Sequence, residues 1–106
     1  MSVLLPVALQ NQLPNPCGQE GNKDPTVHAV FYFPLGGWIW FATEGRPVEG
    51  DFLFFGYVIG LERELGYFCL SELESVDING IKVCRVEDHQ SKRLSKCLLQ
   101  YRFEEN

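Results

Sequence analysis

The sequence predicts a single α+β domain, an antiparallel meander sheet of four to five strands with a helix packed on it from each end of the chain. Three observations carry this reading. Four runs rich in β-branched and aromatic residues follow one another between Val27 and Cys69, joined by short connections that contain glycine. The two flanking segments instead carry apolar residues at helical spacing. Finally, 106 residues suffice for one domain with a real core and are too few for two ordinary ones.

The elements follow in order. Residues 1–26 are read as a helix plus an exposed loop. Leu4, Leu5, Ala8, Leu9 and Leu13 form a helical stripe that Pro14 ends, and Asn15 to Pro25 is rich in Pro, Gly, Asn and Asp. Residues 27–86 are read as the sheet with a short helix. Its strands are Val27–Phe33, Trp38–Thr43, Asp51–Ile59 and Glu64–Cys69, with Pro34–Gly37 as a glycine turn and Glu44–Gly50 as a longer polar connection. Ser71 is the expected N-cap of one or two helical turns, with Glu72 and Glu74 where a helix start favours negative charge. Asn79-Gly80 predicts a turn, and Ile81–Val86 alternates like a fifth strand. Residues 91–103 are read as a C-terminal helix capped by Ser91, with Leu94, Cys97, Leu98 and Tyr101 on its apolar face.

The predicted strands are apolar on both faces. Trp38, Trp40 and Ala42 oppose Ile39 and Phe41, and Phe52, Phe54 and Val58 oppose Leu53, Phe55, Tyr57 and Ile59. A sheet with one wet face would alternate with polar residues. Helices from the two ends can cover one face, so a protein partner or a homodimer contact is the expected cover for the other.

Composition narrows the function classes. Hydrophobic residues make up 45% and aromatic residues 13%, a load that disordered chains do not carry. The net charge of −5 argues against nonspecific nucleic-acid binding. Charge is unevenly placed: Glu62, Glu64, Glu72, Glu74 and Asp77 form an acidic block, and basic residues concentrate from Lys82 onward. No membrane span is long enough. Met1–Pro6 does not read as a signal peptide, and Cys17, Cys69, Cys84 and Cys97 lack zinc-ligand spacing, so a cytoplasmic protein with reduced thiols and no metal or cofactor is expected.

No catalytic constellation emerges. His28 falls in a strand and His89 in a polar loop, and nothing in their spacing pairs them with Cys69 or Cys84. The sequence contains no G-x-S-x-G, H-E-x-x-H or P-loop motif. Glu44, Asp51, Glu62 and Glu64 flank strand ends, where ordinary turn polarity explains them more cheaply than an acid/base pair. Phe55-Gly56-Tyr57-Val58 has part of an RNA-recognition aromatic strand but lacks its basic residue and the Gly before the aromatic. Gly56 in mid-strand marks a bulge or a close backbone approach.

The middle of the chain resembles an uncharacterised family of small bacterial domains frequent on plasmids and other mobile elements. The resemblance runs through Phe31-Tyr32-Phe33-Pro34, Trp38-Ile39-Trp40-Phe41-Ala42-Thr43-Glu44 and Asp51-Phe52-Leu53-Phe54-Phe55-Gly56-Tyr57-Val58. It continues through Glu64-Leu65-Gly66-Tyr67-Phe68 into Leu70-Ser71-Glu72-Leu73-Glu74-Ser75. The family is one of unknown function, so it supplies no catalytic residues. It implies an accessory protein of a plasmid, phage or gene cassette.

Two functional expectations follow. The first is a noncatalytic interaction protein, an anti-defence inhibitor among the forms it could take, with Trp38, Trp40, Glu44, Tyr57, Glu64 and Tyr67 as the candidate binding residues. The alternative is a small-molecule-binding or enzymatic domain using carboxylates at the sheet rim. A pocket joining Glu44, Asp51 and Tyr67 would favour the alternative. Full burial of both Trp38 and Trp40 would remove the first.

Overall fold

A computed structural model describes residues 4–14, 24–87 and 89–100. Helix α1 (Val7–Gln12) precedes β1 (Thr26–Val27), β2 (Ala29–Phe33), β3 (Trp38–Val48), β4 (Asp51–Ile59) and β5 (Arg63–Cys69). Helix α2 (Leu70–Ser75) leads into β6 (Asp77–Ile78), β7 (Ile81–Lys82), β8 (Cys84–Arg85), β9 (Lys92–Arg93) and α3 (Leu94–Gln100). The main sheet has five strands in the order β5-β4-β3-β2-β8, with every pairing antiparallel. Two minor pairs, β1 with β9 and β6 with β7, also form among the described residues. The α+β meander read from the sequence is the observed architecture.

Departures from the expected elements have local causes. The polar run Glu44–Val48 is not a loop but the second half of β3, and the turn shrinks to Glu49-Gly50 between paired Val48 and Asp51. Turn-like composition concealed a strand because Gly45 and Pro47 face Phe54 and Phe52 across the ladder. The register shifts between Ala42 and Glu44, a β-bulge that turns Thr43 and Glu44 inward, both buried. The Thr43 hydroxyl donates to the Phe55 carbonyl at 3.0 Å. The first expected strand breaks at His28, since Val27 pairs with Lys92 while Ala29 onward pairs with β3. The expected fifth strand also divides. Asn79 (φ 55°) and Gly80 (φ 86°) form the predicted turn, so Ile81–Lys82 fold back on Asp77–Ile78, and only Cys84–Arg85 reach the main sheet.

Both sheet faces are apolar, as the strand pattern requires, but the chain ends cover opposite faces rather than one. On the first face Phe31, Phe33, Trp40, Ala42, Phe52, Phe54 and Phe68 pack with Leu4, Leu5 and Leu13 from the N-terminal segment and with Leu73 of α2. Phe54 is the centre, with ring centroids 5.5 Å from Phe31, 5.1 Å from Phe52 and 5.2 Å from Phe68. On the second face Val30, Ile39, Phe41 and Ile59 meet Leu94 and Cys97 of α3. The α1 helix itself buries nothing completely; the leucines flanking it are the anchors. The short α3 covers the β2–β3 side, and Leu65 and Tyr67 on the far strand stay 56% and 62% exposed.

Two aspartates clamp helices to distant strands, in place of the expected serine caps. Asp51 at the start of β4 accepts the Ser71 amide at 3.0 Å and the Ser71 hydroxyl at 2.5 Å, while Glu72 reaches back to the Cys69 amide at 2.8 Å. Ser71 therefore lies inside α2 rather than capping it. Asp24 accepts the Ser95 amide at 2.8 Å and its hydroxyl at 2.7 Å, capping α3 from a position 71 residues away. Ser91, the expected cap, lies before β9 and bonds His28 instead. Within the expected exposed loop, Pro25 is buried and its carbonyl accepts the Leu94 amide at 2.8 Å. Residues 15–23 of that loop and 101–103 of the expected C-terminal helix lie outside the described residues.

Candidate functional site

Among the described residues the main sheet ends at β5, which pairs on one side only, with β4. Behind this edge a cleft of about 550 Å³ opens between the first face of the sheet and α2. Trp40, Val58, Phe68, Leu73 and Val76 give it apolar walls, and Glu64 and Glu72 are the charged side chains of its lining. Gly66 forms the open edge: a Cβ built there meets nothing within 4 Å. Its cross-strand partner Gly56 is the opposite case, because a Cβ there would lie 1.8 Å from the Phe41 carbonyl oxygen. The mid-strand Gly56 thus marks a close backbone approach beside the bulge.

The tryptophans are held by their neighbours. Trp38 and Trp40 project to the same face two residues apart and stack at 5.8 Å with an interplanar angle of 29°. Trp38 lies over Gly60, where a Cβ would come within 2.2 Å of the ring. Trp40 is 9% exposed and serves the core as well as the cleft, while Trp38 stays half-buried. The pair is not wholly enclosed by the monomer.

The six sequence-derived candidates divide between the two faces. Trp40, Glu64 and Tyr67 line the cleft, and Trp38 stacks beside it. Tyr67 contributes at the edge, with its ring directed to the second face and 4.9 Å from Phe55. Tyr57 also belongs to the second face, 6.4 Å from Phe41. Glu44 is buried in the bulge opposite Phe55, away from the cleft. Glu44, Asp51 and Tyr67 do not converge, since Asp51 is engaged by Phe52 and Ser71. Those hydrogen bonds, the Ser71 hydroxyl first, hold the Asp51 carboxyl below its ordinary value.

Glu72, Gly66, Leu73 and Val76 line the cleft and are not among the six candidates that the sequence offers. Leu73 is buried against the first sheet face and also lines the cleft, a placement set by where α2 docks and not by local sequence. Among the described residues, no three His, Cys, Asp or Glu side chains gather as a metal site would need. No described helix is long and apolar enough to cross a membrane.

Comparison with known families now decides membership. A family model described as "Protein of unknown function (DUF2958)" matches residues 4–99. The chain belongs to the DUF2958 family. The match takes in the meander, α2 and almost all of α3, so cleft and covering helices alike lie within the DUF2958 region. No curated protein and no solved structure matches the chain.

Proposed function

We propose that this DUF2958 domain acts by noncatalytic binding of another protein at the β5 edge and the cleft behind it. The occupant is an extended segment that adds to β5 and places a Lys or Arg side chain between Glu64 and Glu72, over the face of Trp40. One observation carries the reading: an aromatic-floored cleft whose charged lining is entirely acidic among the described residues opens at a strand edge that none of them pairs with. An edge strand offers backbone groups to an added strand, and the adjoining pocket selects its side chains. A cation over an indole face beside carboxylates gains from both. In the mobile-element setting that the family resemblance implies, the partner is a host or element-encoded protein. Inhibition of a host defence enzyme is one form of that accessory role.

The test titrates the protein with short extended peptides that differ only in a central Lys, Gln or Glu, following tryptophan fluorescence. The Lys peptide is expected to bind tightest. Glu64→Lys, at an exposed position, should weaken it by roughly tenfold with the thermal midpoint unchanged. Equal affinity for the Lys and Glu peptides, or an unaltered Lys affinity in Glu64→Lys, sinks the proposal.

A further inference from the structure

A second cavity, of about 200 Å³, lies apart from the cleft, where the N-terminal segment meets β2 and β8. Its lining includes Gln12, His28, Arg85, Glu87 and His89, gathered from three separate stretches of chain. Neither histidine paired with anything in the sequence. In the structure, His28 Nδ1 lies 2.9 Å from the Ser91 hydroxyl and His89 Nε2 lies 3.0 Å from the Val27 carbonyl oxygen. A carbonyl oxygen only accepts, so His89 Nε2 carries the hydrogen it shares with Val27.

Arg85 gives the cavity its sign. Its guanidinium Nε is buried and has no hydrogen-bond partner among the described residues. A guanidinium cannot shed its charge, and a buried donor without a partner is costly, so the site favours a group that brings negative charge and acceptor oxygens. The imidazoles of His28 and His89 and the Gln12 amide line the same space, so donors reach it from several directions. That multiplicity suits the four oxygens of a tetrahedral anion better than the two of a carboxylate. The volume suits an anion of that size and excludes a nucleotide-sized ligand. Among the described residues the titratable groups lining the space are His28, His89, Arg85 and Glu87, and Glu87, the carboxylate of that set, is exposed.

We propose that this cavity is a binding site for a tetrahedral oxyanion of the phosphate class, held by the Arg85 guanidinium with the His28 and His89 imidazoles beside it. Desolvation, with His89 close by, lowers the His28 pKa in the unliganded protein. Anion binding therefore takes up a proton and strengthens as the pH falls. The site is independent of the β5 cleft, and either assignment can fail alone.

The test titrates the full chain with inorganic phosphate, and with sulfate, whose charge is constant between about pH 6 and about pH 8, by calorimetry and by NMR of the imidazole resonances. Both anions should bind, and sulfate should bind more tightly at the lower pH with His28 and His89 shifting together. Arg85→Gln should weaken binding by roughly tenfold or more. His28→Gln should leave binding in place and reduce its pH dependence. No perturbation of either imidazole by phosphate or sulfate, or equal affinity in Arg85→Gln, overturns the proposal. The imidazole readout on the unmutated chain decides even if Arg85→Gln unfolds.

Discussion

The paired glycines of β4 and β5 offer a matched experiment in one ladder. Gly56 and Gly66 face each other across the same register, yet a methyl group would meet opposite surroundings. At Gly56 the Cβ would lie 1.8 Å from the Phe41 oxygen, 2.8 Å from its carbonyl carbon and 3.1 Å from the Ala42 Cα. All three are backbone atoms, so no side chain can turn away. An ordinary carbon–oxygen contact is about 3.3 Å, so β3 would have to withdraw by roughly 1.5 Å. Such a displacement breaks one or two ladder hydrogen bonds at about 1 kcal/mol each, on top of about 1–3 kcal/mol of overpacking. Gly56→Ala should therefore cost roughly 2–5 kcal/mol, a large share of a domain stability on the order of 10 kcal/mol. At Gly66 nothing lies within 4 Å and φ is not positive, so Gly66→Ala should fall within about 1 kcal/mol of wild type, on the stabilising side. Urea unfolding monitored by circular dichroism measures both, with the slope as a check that the transition stays two-state. A Gly56→Ala midpoint near wild type, or a Gly66→Ala loss matching that of Gly56→Ala, would falsify the close-approach reasoning.

Two further outcomes follow from the ionisable groups. The Asp51 and Asp24 carboxyls lie below the ordinary 3.8, held chiefly by the Ser71 and Ser95 hydroxyls. With the folded values depressed, their stabilisation is present above the unfolded pKa and is lost as pH falls through the folded one. Acid titration below about pH 4 should show that loss, and Asp51→Asn should flatten it; an unchanged acid limb in the variant removes Asp51 from the account. Burial pushes the Cys97 thiol up to about 11, and its side chain is inaccessible beneath α3. A thiol reagent at about pH 8 should modify half-buried Cys84 well before Cys97, whose rate should rise with denaturant. Native Cys97 reacting as fast as Cys84 would contradict the packing of α3.

Legibility in the sequence tracked the range of the interaction. Asp51–Ile59 is bounded as the sequence predicted, because its apolar run ends at turn residues that act within a few positions. Glu44–Val48 misled, since turn-like composition says nothing about a neighbouring strand that can pair with it. The caps failed for a related reason. Ser71 and Ser91 satisfy the local rule, but carboxylates brought from elsewhere, Asp51 to Ser71 and Asp24 to Ser95, took over the roles expected of them. Of the candidate residues, the alternation along β3 correctly set Trp38 and Trp40 on one face. Which carboxylates would join them depended on where α2 docks and on the bulge at Thr43, and the bulge removed Glu44 to the other face. The grouping of His28, His89 and Arg85 exists only once the chain ends have met, so no spacing rule could have announced it.

The clasp between those ends also bears on the order in which the molecule assembles. The β2–β5 hairpins join neighbours in sequence and have little loop entropy to overcome, whereas Val27–Lys92, Tyr32–Cys84 and Asp24–Ser95 each close about half of the chain or more into a loop. Loop-closure entropy therefore favours the meander as nucleus and the clasp as the late step, and native-state hydrogen exchange is expected to show the clasp opening first. The first cleft, walled by the meander and α2, persists through such an opening. The Arg85 cavity does not, so a ligand held there would act as the latch on the last part of the chain to fold.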